Sequence, residues 1–151
     1  VDAAVYGADG ALTLGPTSPV GVELVGALVR AQRVDSGEQL VGTPPDRLRA
    51  ALVGRLPPVG FLAETSLRVA TELVARQSRT APDADFVPAP AGYALLDLLL
   101  EARVLTGGPP LRLGLEVHNL LNTAWREYTS LLRYYADQPG RDVRLRIGFD
   151  L

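Results

Sequence analysis

The sequence contains no cysteine, no methionine and no lysine, and a single histidine. Without thiols, a disulfide framework, a cysteine zinc site and a cysteine nucleophile are all excluded. The 15 basic residues are all arginine and are outnumbered by 17 acids, so the net charge of −2 argues against nucleic acid as a partner. Long hydrophobic runs are missing too: Glu23, Arg55, Glu64, Asp97 and Glu101 interrupt every stretch that could approach the length of a membrane helix. Barrel strands survive this test, because they alternate lipid-facing and lumen-facing side chains and keep a moderate mean hydropathy. With 47% hydrophobic and 21% charged residues, the composition fits one folded unit better than a disordered tail. The chain begins at Val1 without methionine or a basic-then-apolar leader, so the translated start and any signal peptide are expected outside it.

Glycine and proline, by contrast, are plentiful, at 15 and 12 residues, and they cluster. Gly15-Pro16, Pro44-Pro45, Pro57-Pro58, Pro88-Ala89-Pro90, Gly107-Gly108-Pro109-Pro110 and Pro139-Gly140 divide the chain into segments of strand length. The connections alternate. Gly15 to Val20, Leu56 to Gly60 and Leu105 to Pro110 are short, whereas Arg33 to Pro45, Gln77 to Ala91 and Thr123 to Arg141 are long. Tight turns at one end and extended loops at the other are the habit of outer-membrane barrels.

Charge parity carries the most information. In Arg47 to Leu56 the charges Arg47, Arg49 and Arg55 are all odd, while in Phe61 to Arg76 the charges Glu64, Arg68, Glu72 and Arg76 are all even. Tyr93 to Val104 places Asp97, Glu101 and Arg103 opposite Ala94, Leu96, Leu98, Leu100 and Val104. Leu111 to His118 sets Arg112, Glu116 and His118 against Leu111, Leu113, Leu115 and Val117. Asp142 to Leu151 sets Asp142, Arg144, Arg146 and Asp150 against Val143, Leu145, Ile147, Phe149 and Leu151. Sixteen acidic and arginine side chains obey period two without exception, which random parity would produce roughly once in two thousand trials. The four-residue spacing from Glu64 to Arg76 would also suit a helix face, but the last two segments alternate strictly and helix caps are scarce.

Two further segments are expected near the start. Val1 to Tyr6 and Ala11 to Leu14 flank Gly7-Ala8-Asp9-Gly10, whose Asp-Gly pair reads as a hairpin turn. Gly21 to Gln32 is apolar on both faces except Glu23 and Arg30, so parity does not fix its register. The expectation is an all-β, antiparallel transmembrane barrel segment of about eight strands with a charged lumen face, part of a larger barrel. A soluble sandwich, with a second sheet against the apolar faces, is the alternative that composition leaves open.

The end of the chain adds a specific resemblance. Asn119-Leu-Leu-Asn122-Thr-Ala-Trp125-Arg-Glu-Tyr128, then Pro139-Gly140-Arg141 and a final alternating strand, resembles the closing strands of TonB-dependent outer-membrane receptors. Gly21-Val-Glu23 is similar to a strand opening in that family, Leu40 to Arg49, with Pro44-Pro45 before the Arg-alternating strand, to a loop end, and Gly92-Tyr93-Ala-Leu-Leu-Asp97 to the strand that follows it. The likeness runs from about Gly21 to Leu151. Family members usually end in an aromatic residue; here Leu151 is last and Phe149 is the nearest aromatic, and these two are the candidate C-terminal barrel signal. The resemblance implies a receptor that takes a scarce nutrient, such as an iron chelate or cobalamin, across the bacterial outer membrane. Residues 1–151 would then be its C-terminal barrel segment, without plug domain or TonB box. Implied partners are outer-membrane lipid, the TonB system where the full-length protein carries a plug, and other barrel or lipoprotein subunits. The competing expectation is a small barrel or barrel segment that serves as an anchor or docking surface in a complex without transport.

Candidate sites follow from residue chemistry. In the last long loop, Arg126, Arg133, Tyr134 and Tyr135 could stack on and pair with an anionic chelate. Trp125 and Tyr128 suit an interfacial belt of amphipathic rings. His118 reads as a solvated lumen residue, since a zinc site would need three protein ligands. Ser130, His118 and Asp137 supply the residue types of a hydrolase triad, but no Gly-x-Ser-x-Gly elbow accompanies them. No catalytic residue, cofactor or metal is expected, and the chain is not expected to be an enzyme.

Overall fold

A computed structural model describes residues 2–80 and 83–149. Seven antiparallel strands form one sheet in chain order: β1 (Ala3–Leu14), β2 (Val20–Arg33), β3 (Arg47–Leu56), β4 (Leu62–Val74), β5 (Tyr93–Val104), β6 (Leu111–His118) and β7 (Asp142–Phe149). A single 3-10 turn, Leu131–Tyr134, interrupts the last loop. The all-β antiparallel expectation holds, and β3, β5 and β6 have the bounds that charge parity gave them.

One expectation fails. Gly7 to Gly10 is no hairpin turn but the middle of β1, paired with Val29, Leu28, Ala27 and Gly26 of β2, so seven strands replace eight. An Asp-Gly turn needs positive φ, and neither Asp9 nor Gly10 has it. Gly7 serves a different purpose: a Cβ there would lie 2.6 Å from the Leu28 carbonyl oxygen, so two backbones meet where only glycine fits.

Register carries the parity rule across the whole sheet. Leu52 of β3 lies between Val22 and Val69, and the same purely apolar row continues through Leu98, Val117 and Val143 on one face. On the opposite face Arg68 bonds Glu23 at 2.8 Å, Arg49 bonds Glu72 at 2.9 Å, and Arg146 bonds Glu116 at 2.5 Å. Arg30 is the one charged residue of the described strands whose parity places it on the apolar face.

Burial inverts the pattern of a soluble domain. Small side chains on the charged face, among them Ala51 and Val53, are buried under arginine and glutamate stems, while Leu52, Leu145 and Ile147 on the other face are more than half exposed. The chain exposes 9789 Å², whereas a globular protein of its 16.1 kDa would expose about 7,400 Å². Strand backbones pair only with their neighbours in sequence, and β1 makes no contact with β7 among the described residues, so the sheet stays open at both edges.

Because Gly7 to Gly10 belong to a ladder and not to a turn, their hydrogen-bonded amides are expected to exchange as slowly as those of Val25 to Val29. Hydrogen exchange at single-residue resolution checks this. Fast exchange confined to Ala8–Gly10 would restore the hairpin.

Candidate functional site on the charged face and its loops

The long loops, residues 34–46, 75–92 and 119–141, all leave the same end of the sheet, and the loop 119–141 is the most heavily built. It starts at Asn119, which takes a left-handed φ of 50°, a region that asparagine tolerates better than most residues. The Asn119 side chain accepts from the Thr123 amide and donates to the Thr123 carbonyl, both at 2.9 Å, so it stands in for the strand partner that Thr123 lacks. Its own amide donates to Asp97 at 2.9 Å.

Asn122, also left-handed at φ 55°, explains the second half of the motif. Its Oδ1 accepts the Arg141 amide at 2.9 Å, at the doorstep of β7. A Cβ on Gly140 would lie 2.6 Å from that same oxygen. The Asn-Leu-Leu-Asn and Pro-Gly-Arg segments are therefore two halves of one clasp that ties the loop's entry to its exit.

Further along, Trp125 packs on Tyr93 with ring centroids 4.7 Å apart, and its loop position is held by the Gln138 amide bonding the Trp125 carbonyl at 2.9 Å. The Tyr93 hydroxyl donates to Glu127 at 2.9 Å, and Arg47 reaches the same carboxylate at 3.1 Å, which anchors the loop to β3 and β5. Burial works to raise the Glu127 carboxyl, but Tyr93 and Arg47 outweigh it, and its pKa falls below the ordinary value.

A second anchor joins two loops. Arg133, 4% exposed, bonds Asp85 of the preceding long loop and the Tyr134 hydroxyl, which itself donates to Asp85 at 2.7 Å. The guanidinium lies between the Tyr128 ring at 4.3 Å and the Tyr134 ring at 4.6 Å, a cation–π sandwich. For Asp85 too, burial works to raise the pKa, while Tyr134 and Arg133 bring it below the ordinary carboxylate value. Of the expected ligand candidates, Arg133 is thus a buried structural lock, and Tyr134 is half-buried beside it. Arg126 is taken by Asp137 at 2.5 Å and by the Arg133 carbonyl at 2.9 Å. Tyr135 is exposed at the loop surface, its ring edge-on to Tyr134 at 6.4 Å.

The belt expectation meets a different geometry. Tyr128 is 3% exposed beneath Arg133, and Trp125 lines the cavity on the charged face, so neither ring lies on the apolar outer surface. Sequence spacing could not reveal this, because Trp125 packs on Tyr93 from a distant strand and Tyr128 lies under Arg133, which is held by Asp85 from 48 residues away. Phe149 ends β7 exposed on the apolar face; Leu151 lies outside the described residues.

Beneath the clasp lies a cavity of about 690 Å³ whose walls include Arg49, Arg68, Glu72, Asp97, His118 and Trp125. A second, of about 560 Å³, sits nearer the short turns against Arg55, Glu64, Glu101 and Arg112. Both lie on the charged face. His118 places Nε2 2.7 Å from Glu116 and Nδ1 3.6 Å from Asp97, so each ring nitrogen faces a carboxylate. Among the described residues no group of histidine and acidic side chains is arranged to hold a metal ion. The triad residues are also apart in function: Ser130 caps the 3-10 turn by accepting the Leu132 amide, and Asp137 holds Arg126. What remains is a wall of charged side chains with an aromatic rim, suited to hydrogen-bonding a polar solute.

Two outcomes are expected. Gly140→Ala should force the Asn122 side chain off Arg141, and its destabilisation should nearly vanish when Asn122→Ala is already present; a double-mutant cycle of unfolding free energies reads this coupling. Acid should release the loops, because carboxyls with depressed pKa stabilise the fold above the unfolded value of about 4 and lose that contribution as pH falls through the folded value. Protease resistance of residues 83–92 and 119–141 should therefore hold at neutral pH and fail below about pH 4.

No family model matches the chain, and no curated protein does. Among solved structures, that of the copper transporter OprC superposes with a TM-score of 0.79 over 99% of this chain at 22% identity. The match takes up 23% of that protein, so this chain spans less than a quarter of its length. The likeness shows the fold: a run of antiparallel strands like those in the wall of an outer-membrane barrel.

Proposed function

We propose that this chain is a stretch of wall from an outer-membrane transport barrel of the TonB-dependent receptor type. The observation that carries the reading is the open sheet whose apolar side chains face outward while its charges pair inward. An open edge inside a bilayer would leave backbone N–H and C=O groups unsatisfied, so further strands complete the ring on both sides of β1 and β7. The similarity to a transporter's fold supports the same reading. The Asn119 to Tyr128 and Pro139 to Arg141 segments, joined by the clasp, support it as well.

The cargo is proposed to be an organic chelate of a scarce nutrient, of the iron-chelate or cobalamin kind. The chain offers no thiolate or thioether and one histidine, so its wall is poor in the soft ligands that select copper. Arginines, carboxylates and Trp125 instead address the polar periphery of a bulky solute. The long loops face the cell exterior in this reading, and the short turns face the periplasm.

The test pairs neighbours. In the full-length protein, which should fractionate with outer membranes and need detergent, Leu145→Arg should cost about 2–4 kcal/mol and Arg144→Leu little. Leu145 is 70% exposed on the apolar face, whereas Arg144 bonds Asp142 at 2.5 Å on the charged one. Urea midpoints in liposomes measure both. Equal midpoints, or a monodisperse soluble protein in plain buffer, would overturn the reading.

A further inference from the structure

Arg30 breaks the parity rule, and its surroundings explain how. It lies in β2 directly across from Tyr6, one step beyond Leu28 on the apolar face, where the apolar side chains give way to the long-loop end. Its guanidinium donates to both oxygens of Asp46, at 2.6 and 3.1 Å. Arg79, from the loop after β4, donates to the same two oxygens at 3.2 and 3.3 Å. One carboxylate thus serves two guanidiniums, and among the described residues no second carboxylate pairs with either. The cluster carries a net positive charge at the upper border of an otherwise uncharged face.

That placement has a physical cost unless something outside the chain offsets it. An arginine on a lipid-facing strand is costly at mid-membrane and nearly free at the interface, so the position of Arg30 marks the headgroup level. Tyr6, more than half exposed beside it, presents a ring with a polar tip at the same height, as interfacial tyrosines do. Each guanidinium fork holds five N–H donors, more than Asp46 takes up, and the Arg79 Nε is buried without a partner. Phosphate monoesters match such forks in charge and in planar, two-pronged geometry.

We propose that Arg30 and Arg79, bridged by Asp46, bind the phosphate of an anionic lipid headgroup in the leaflet that surrounds the long-loop end of the barrel. Asp46 holds the two forks side by side and leaves one positive charge for the phosphate. The site lies outside the barrel and takes no part in cargo binding. It rests on the reading that the apolar face meets lipid, and the experiment separates the two claims.

The full-length protein would be reconstituted into phosphatidylcholine vesicles with or without phosphatidic acid, and its urea midpoint followed at low salt. The expected result is a higher midpoint with phosphatidic acid, an increment that shrinks with added salt and disappears in Arg30→Gln/Arg79→Gln. Arg79→Gln alone, a loop substitution that leaves every strand untouched, should reduce it. Asp46→Asn should enlarge it, because both guanidiniums then lack their internal counter-charge. Equal midpoints in the two vesicles for protein that has inserted would overturn the lipid site and leave the barrel reading intact. Inorganic phosphate that raises the midpoint in phosphatidylcholine alone, as much as phosphatidic acid does, would identify a general anion site and overturn the lipid assignment. Failure to insert into either vesicle would overturn the membrane reading itself.

Discussion

A single layer of paired strands must satisfy its backbone polar groups within the ladder and leave each face to a different medium. Everything else in this chain depends on that constraint. Because side chains alternate with period two, one residue of slip would carry arginines and glutamates onto the apolar side along a whole strand. Cross-strand pairs such as Arg49 with Glu72 and Arg68 with Glu23 work in the same direction, since they form only in the observed register. Their individual contributions are small where water reaches them. Their value lies in specifying alignment. In the proposed barrel the inverted burial, with small buried residues on the charged face and large apolar ones in the open, follows because lipid supplies what a second sheet would supply elsewhere.

The loops obey a second rule, that irregular backbone must find partners for its own amides. In residues 119–141 this is done by side chains: Asn119 for Thr123, Asn122 for Arg141, Ser130 for Leu132. Arg133 then closes the gap to the neighbouring loop through Asp85. Buried ions of this kind are expensive to strip of water, and breaking one leaves the other uncompensated, so they fix geometry more than they add net stability. The aromatic rim of the cavity is held in place by these locks, with Trp125 on Tyr93 and Tyr93 on Glu127.

Much of the sheet was legible because charge parity is a local signal. The segments Arg47–Leu56, Tyr93–Val104 and Leu111–His118 could be bounded to the residue, since turn-forming residues flank them and charges mark one face. β1 was not legible: its single charge, Asp9, sits beside glycine, and turn chemistry and close strand approach use the same dipeptide. The loop residues were read by type and not by partner. Arg133 reads as a ligand candidate because Asp85 lies 48 positions away, and Tyr128 reads as a belt residue because nothing local shows that Arg133 covers it. The Asn119–Asn122 and Pro139–Arg141 motifs could be named from resemblance, yet the clasp that joins them, an oxygen where a Cβ would be, is visible only in three dimensions.

The strict order of the meander also has a mechanical side. Every strand's backbone ladder runs only to the strands before and after it in sequence, and no long-range crossover ties the sheet together. A pulling force applied at the C-terminal end therefore meets the eight-residue ladder between β6 and β7 first, then each preceding hairpin in turn. Such a wall yields like a zipper, tooth by tooth, where a cross-connected fold of the same size would give way all at once.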